Sequence, residues 1–230
     1  MERITTEDGS ITFRHPDYLE PYHTKSGGVV EAFEKHARAL KIWEKNEPII
    51  FDICSGLSYN AACAFEEIRR HGNNSLVTVY LFENDRSILE KCLELPDSIE
   101  YFQDGRKESI GCYHHFKSAI KEYLDAAMKI YEFENIKIII IFGDAIKTLD
   151  SVGQNADFVF FAPFSPAIQP EMWNSDFFRK IYSHMSKDAK LSTYSFARNV
   201  REALSQAGFS VMSGPILGRR SPSLIAHKIT

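Results

Sequence analysis

The chain has 230 residues, 44% of them hydrophobic and 25% charged; that suffices for the core of one large domain and is too much for a mini-protein stapled by disulfides. Its apolar runs fall short of the roughly 18–20 residues of a membrane-crossing helix, and residues 1–8 are polar where a signal peptide needs an apolar core, so a cytoplasmic protein is expected. The net charge of −4 hides an asymmetry, because residues 179–228 carry nine Lys and Arg against two acids, a local +7 beside −11 elsewhere, which confines any contact with phosphates to one face.

Residues 5–13 read as a short hairpin with Asp8-Gly9 at its turn, within an N-terminal extension running to residue 28. A Tyr-rich loop with Tyr18, Tyr22 and His23 follows, and apolar residues at helical spacing (Val30, Phe33, Ala37, Leu40, Ile42) predict a first helix. The pattern then alternates. Strands are expected at 48–53, 76–82, 136–142, 156–161 and 189–194, with helices at 59–70, 87–95, 116–131, 177–185 and 200–207. A short extended piece is expected at 98–102, and 209–212 with 223–228 read as a closing antiparallel pair. The isoleucine-rich run at 136–142 is expected to be a central strand covered on both faces. Strands separated by helices need crossovers, so the expected architecture is a doubly wound, Rossmann-like α/β sheet in a single domain over 1–230.

Cys54, Cys63, Cys92 and Cys112 form no Cys-x-x-Cys pair, and His114-His115 has no acidic or thiol partners nearby, so neither a disulfide framework nor a metal site is expected.

In such a sheet ligands bind beyond the carboxyl ends of the strands. The first strand leads into Asp52-Ile53-Cys54-Ser55-Gly56-Leu57-Ser58-Tyr59-Asn60, a turn of small residues that lacks the glycines of a pyrophosphate loop, which favours a cofactor without phosphates over a dinucleotide. An ordinary strand-to-helix turn reads the same way. Glu83 ends the second strand, where a carboxylate can take ribose hydroxyls or simply be solvated. Gly143-Asp144-Ala145 follows the third, where Asp144 either binds an adenine amino group or caps a helix. Together the three make the spaced pattern of a nucleoside-binding edge. After the fourth strand, Ala162-Pro163-Phe164-Ser165-Pro166 and Pro170 form a rigid loop that either walls a pocket or packs the next helix. Ala-Pro-Phe is loosely similar to the Asn/Asp-Pro-Pro-aromatic loop with which amine methyltransferases hold a nitrogen.

These residues, taken in order, resemble a known family: the methyltransferase domain of the bifunctional tRNA-modifying protein MnmC and its free-standing relatives. The likeness spans nearly the whole chain. Tyr22-His23-Thr24-Lys25-Ser26-Gly27-Gly28-Val29-Val30-Glu31 is similar to the family's Tyr-x-Ser-x-x-x-Gly-x-x-Glu, Gly56 and Asn60 match its Gly-x-Gly-x-Gly-Leu-Asn loop, and Gly143-Asp144 matches its Gly-Asp. Phe164-x-Pro166-Ala167-x-x-Pro170-x-Met172-Trp173 matches its most specific motif, with Thr193-Tyr194, Val200-Arg201, Ala207-Gly208-Phe209 and Gly218-Arg219-Arg220 as later signposts. Two departures stand out: Cys54 and Ser58 replace the outer glycines of the cofactor loop, and Ala162 replaces an Asp suited to hold the substrate amine.

The resemblance implies a class I methyltransferase fold, S-adenosylmethionine as cofactor and tRNA as substrate, with methylation of an aminomethyl group on the wobble uridine. It places Gly28, Asp52, Cys54, Ser55, Gly56, Asn60, Glu83, Gly143, Asp144 and Ala145 on the cofactor. With Ala162 unable to act as a base, main-chain carbonyls near Ala162 and Pro163 are expected to orient the amine, Phe164 to stack on the base, and Glu31 or Tyr22 to handle the proton. Arg198, Arg201, Arg219 and Arg220, in the basic C-terminal third, are the candidates for tRNA phosphates. A methyltransferase of a small amine and a non-catalytic nucleoside-binding homologue are the alternatives.

Overall fold

The structure, a computed structural model, describes residues 1–218 and 221–229. Its architecture follows from two-residue alternation along the buried strands. In β3 (Ile49–Ile53), Ile50 packs into one apolar layer while Phe51 and Ile53 pack into the other; in β9 (Ala156–Phe161), Phe158 and Phe160 face the first layer, and Val159 and Phe161 the second. A strand apolar on both faces needs helices on both sides. One layer is covered by α1 (Gly28–Glu31), α2 (Tyr59–Arg70), α3 (Arg86–Leu93) and α4 (Tyr113–Ala126), the other by α5 (Ala145–Thr148), α6 (Ser175–Ser183) and α7 (Arg198–Gln206).

Eight strands form the main sheet in the order β11-β12-β10-β9-β3-β4-β8-β7. β10 (Met185–Thr193), β9, β3, β4 (Val77–Glu83) and β8 (Ile136–Phe142) run parallel. β12 (Leu224–His227) is inserted antiparallel between β10 and β11 (Ser210–Ser213), which is the closing pair expected from the sequence. The chain winds one way from β3 through β4 to β8 and the other way from β3 to β9 and β10, so the switch point lies between β3 and β9. The crevice at that point is where such sheets bind ligands.

Several expected boundaries shift. The helix expected through residue 131 ends at Ala126, where Ala127 turns left-handed (φ 54°), and Ile130–Phe133 becomes β7, paired antiparallel to β8. Four residues can thus add a strand to the sheet edge, where a continued helix would leave the edge of β8 unpaired. β8 is accordingly one strand from the edge, although its isoleucines are buried from both layers. β5 (Ile99–Gln103) pairs with β6 (Arg106–Ile110) in a separate hairpin; β6 escapes sequence reading because its polar residues mask the two-residue period.

The N-terminal hairpin, β1 (Glu2–Thr5) with β2 (Ile11–Arg14), holds the first helix in place. Asp8 at its turn accepts hydrogen bonds through Oδ2 from the main-chain N–H groups of Val29 (3.1 Å) and Val30 (2.9 Å), capping α1 from a distance in sequence. α1 continues directly into a π-helical stretch, Ala32–Arg38, which the helical spacing did not predict. Among the described residues no helix is long and apolar enough to cross a membrane, and no cluster of three His, Cys, Asp or Glu side chains is placed to hold a metal.

Candidate active site

A cavity of about 460 Å³ opens at the switch point, within the about 300–1,000 Å³ typical of small-molecule sites. Its floor is the turn after β3. Cys54 and Ser58 adopt the left-handed region (φ 61° and 60°) that glycine takes without strain, and Gly56 between them lies at φ 51°. A Cβ on Gly56 would approach Tyr22 Cδ1 to 3.2 Å, so the roof rests directly on this glycine. Glu83, at the end of β4, ties the floor to the neighbouring turn: Oε2 accepts from Gly56 N–H (2.8 Å), and Oε1 accepts from Asn84 N–H (2.9 Å) and Asp85 N–H (3.0 Å). Burial raises the Glu83 carboxyl above its ordinary value, against these three donors.

Two loops close the cavity opposite this floor, the N-terminal loop and the segment after β9. Glu20 joins them by accepting from Ser165 N–H (3.1 Å) and Ser165 Oγ–H (2.6 Å). The Phe164 ring packs edge-on among His15, Tyr18 and Tyr22, with centroids 5.0–5.4 Å apart, contacts each worth about 0.5–1.5 kcal/mol beyond area burial. Phe164 is pinned further by its N–H to Gln169 Oε1 (2.9 Å) and by Trp173 Nε1–H to its carbonyl (2.8 Å). Tyr194 donates its hydroxyl to the Pro163 carbonyl at 2.8 Å. The rigidity expected of the three-proline loop therefore has identifiable anchors.

The inner wall comes from α1 and the π-helical stretch. Glu31 is buried, pairs with the equally buried Lys35 (Nζ to Oε1, 2.6 Å) and accepts from Thr24 Oγ–H at 2.9 Å. Burial pushes its carboxyl up, but Lys35 outweighs this and holds it below the ordinary value. His36 follows, its Nδ1 2.7 Å from Ser192 Oγ. Burial lowers both His23 and His36 to about 4.

The expected site residues divide accordingly. Cys54, Ser55, Gly56, Asn60, Glu83, Glu31, Tyr22, Ala162, Pro163 and Phe164 all line the one cavity. Asp52 does not. It shares the face of β3 that points under α2, is wholly buried, and accepts from Ala61 N–H (3.2 Å) and Asn60 Nδ2–H (3.4 Å); burial raises it to about 8. Its place is that of a helix cap rather than a ligand contact.

Gly143, Asp144 and Ala145 also stand off the cavity wall, one strand further out, where Gly143 N–H reaches the Glu83 carbonyl (2.8 Å) and Asp144 caps α5 through Ile146 N–H (3.0 Å). Gly28 lies behind His23 at the start of α1. Tyr22 cannot serve as the expected proton acceptor: its hydroxyl donates to Asp85 Oδ2 at 2.6 Å, and burial together with Asp85 drives its ionisation far above the ordinary range.

Arg198 and Arg201 are on α7, lining a separate shallow hollow; Arg198 pairs with Glu202 (2.8 Å) and Arg201 lies 5.0 Å from the Phe196 ring centre. Arg219 and Arg220 fall outside the described residues. Sequence reading missed His15, Glu20, Asp85 and His36 as wall residues; only the aromatic richness of the loop around Tyr18 and Tyr22 hinted at the first two.

Residues 112–229 match a family model described as S-adenosyl-L-methionine-dependent methyltransferase. An uncharacterised protein of Methanocaldococcus jannaschii is 28% identical over 98% of this chain and 59% of its own length. A protein of Leptospira interrogans named tRNA 5-methylaminomethyl-2-thiouridine biosynthesis bifunctional protein MnmC is 30% identical over 72% of this chain and 27% of its own. The chain thus spans less than two thirds of these relatives. The crystal structure of MNMC2 from Aquifex aeolicus superposes with a TM-score of 0.75 at 29% identity, covering 99% of this chain and 70% of that one. A methyltransferase from Pyrococcus furiosus, at 13% identity and a TM-score of 0.57, shares the fold.

The cavity fits the cofactor of this family. The Ser55 hydroxyl, in a residue 2% exposed, has no hydrogen-bond partner among the described residues and lies in the wall, and a carboxylate has about four lone-pair sites, of which Glu83 commits three to main-chain donors, which leaves one open to a donor such as a hydroxyl. Sheet order, cavity and sequence agree that the chain belongs to the MnmC-type family of S-adenosylmethionine-dependent methyltransferases.

Proposed function

We propose that this methyltransferase acts on the nitrogen of an aminomethyl group carried by a modified wobble uridine of tRNA. The observation that carries the reading is the charge of the cavity wall, which contains Glu20, Glu31, Glu83 and Asp85 but, among the described residues, neither Lys nor Arg. Such a wall draws in a cationic amine, which must lose a proton before its nitrogen can react, and repels a phosphate. The names of the MnmC relatives support a tRNA amine as the acceptor.

When bound, S-adenosylmethionine supplies a methyl carbon activated by its sulfonium. The chain's part is to hold the acceptor in line and to keep its nitrogen unprotonated. Phe164 stacks on the base, Ala162 and Pro163 give the nitrogen an apolar, partly dry environment that disfavours the ammonium form, and Glu31 accepts one amine N–H. Glu31 orients rather than deprotonates, because Lys35 keeps it too weak a base to retain the proton, which leaves to water. Phosphates of the tRNA stay outside, and the α7 face bearing Arg198 and Arg201 is the described surface suited to them.

Methylation of a small-molecule amine is the second reading, favoured by Ala162 where the family has Asp. The experiment measures S-adenosylmethionine binding by calorimetry and labelled methyl transfer to tRNA bearing the unmethylated aminomethyl base, at low and at high salt, beside a panel of free alkylamines. Transfer to the tRNA that weakens steeply with salt is the expected result. Cofactor binding with transfer only to free amines overturns the tRNA reading.

A further inference from the structure

Ala162, in the cavity wall just after β9, offers no side-chain hydrogen-bond acceptor. A primary amine has two N–H bonds and one lone pair, and aiming the lone pair at a methyl carbon requires both N–H bonds to be held. Glu31 can hold one. Three features single out His36 for the other: the π-helical stretch brings its ring to the cavity wall, the ring lies edge-on to Phe160 of β9 with centroids 5.4 Å apart, and Nδ1 is engaged by Ser192 of β10. Ser192 pairs with Phe160 in the sheet, two residues before Ala162. The imidazole is therefore anchored beside the strand end that leads to Ala162. Among the described residues its Nε2 makes no hydrogen bond, although the residue is only 2% exposed.

We propose that His36 is a substrate-orienting residue: Nδ1–H donates to Ser192 Oγ, and Nε2 accepts the second N–H of the acceptor amine, so that Glu31 and His36 together select a primary amine. This rests on the amine-methylation reading above. The N–C bond forms as the C–S bond breaks and the thioether leaves neutral; the methylated ammonium then releases a proton to water. The secondary amine so formed has one N–H for two acceptors and is a poorer substrate, so the reaction stops at one methyl group. A neutral imidazole also has a merit that a carboxylate lacks, since it does not favour the unreactive ammonium form. The titratable groups that act on His36 are Glu31 and Lys35, which pair with each other, and the His23 ring.

The test has two arms. In the first, the wild-type chain labelled with ¹⁵N-histidine is saturated with S-adenosylhomocysteine and titrated with 5-aminomethyluridine, with uridine as control; the two-bond proton–nitrogen spectrum reports each ring's tautomer, and His36→Phe assigns the signal. The expected result is an Nδ1–H tautomer whose Nε2 resonance moves with the amine and not with uridine. An Nε2–H tautomer, or a His36 signal that never moves, overturns the proposal.

In the second arm, His36→Phe is expected to lower kcat/KM for a primary amine about tenfold, as for one lost hydrogen bond. Cofactor affinity should stay within about twofold and secondary amines should be little affected, so dimethylated product rises. An unchanged ratio of mono- to dimethylated product overturns the proposal. If wild-type protein ignores tRNA while the amine still moves His36, the tRNA reading fails and this one stands; if tRNA is methylated and His36 is silent, the reverse holds.

Discussion

The two sides of the cavity are built by different means. On the side expected to hold the cofactor, between the ends of β3 and β4, one side chain collects main-chain donors: Glu83 gathers the N–H groups of Gly56, Asn84 and Asp85, and the turn holds left-handed angles at Cys54, Gly56 and Ser58. On the acceptor side, side chains make the wall, through Lys35 on Glu31, Glu20 on Ser165, Tyr22 on Asp85 and three rings around Phe164. A wall made of main chain tolerates substitution, because any residue with the right φ and ψ presents the same N–H. A wall made of side chains changes its ligand when one residue changes.

Titration separates the two sides most broadly. On the acceptor side, burial lowers His23 and His36 from 6.5 to about 4, so the unfolded chain binds more protons between those values and their contribution to stability is lost as pH falls from about 6.5 to about 4. Beneath the cavity, under α2, Asp52 is raised from 3.8 to about 8, and its contribution is lost as pH rises through that window. Urea unfolding across pH should therefore show a shallower acid limb in His23→Phe and a shallower alkaline limb in Asp52→Asn. Like limbs in wild type and variants would erase the distinction.

Lys35→Met leaves the Glu31 carboxylate buried without its cation, a loss of about 3 kcal/mol by the same unfolding measurement. Glu83→Ala removes the acceptor of three N–H groups and should weaken S-adenosylmethionine binding about 100-fold by calorimetry, roughly 2.7 kcal/mol. Tyr22→Phe removes a single hydrogen bond, about 1 kcal/mol, and should raise the acceptor KM while leaving cofactor affinity unchanged. Smallest is Cys54→Gly, which relieves a left-handed side chain and should raise the unfolding midpoint slightly, by less than about 1 kcal/mol, without altering the acceptor KM.

The same division explains what the sequence disclosed. β9 and α2 have the expected bounds because two-residue and helical periods are local signals. Glu83 was legible because a strand-end acid is a position in a fold. Asp52 and Asp144 look identical by that criterion, yet both cap helices; which face of a strand an acid takes, and whether a helix N-terminus lies under it, depends on packing. His36 was illegible because a regular helix does not specify a π-helical stretch. Glu20 meets Ser165 from 145 residues away, with no local pattern to announce it.

That separation in sequence has a consequence for how the protein is made. Ser192 lies 156 residues beyond His36, so during synthesis, at about 5–20 residues per second, the hairpin and its capped helix emerge many seconds before β9 and β10 exist to receive them. Contacts of such high sequence separation close late in folding. The wall opposite the Glu83 edge is therefore completed only when nearly the whole chain is in place, and a nascent chain can carry that edge before the cavity has its second side.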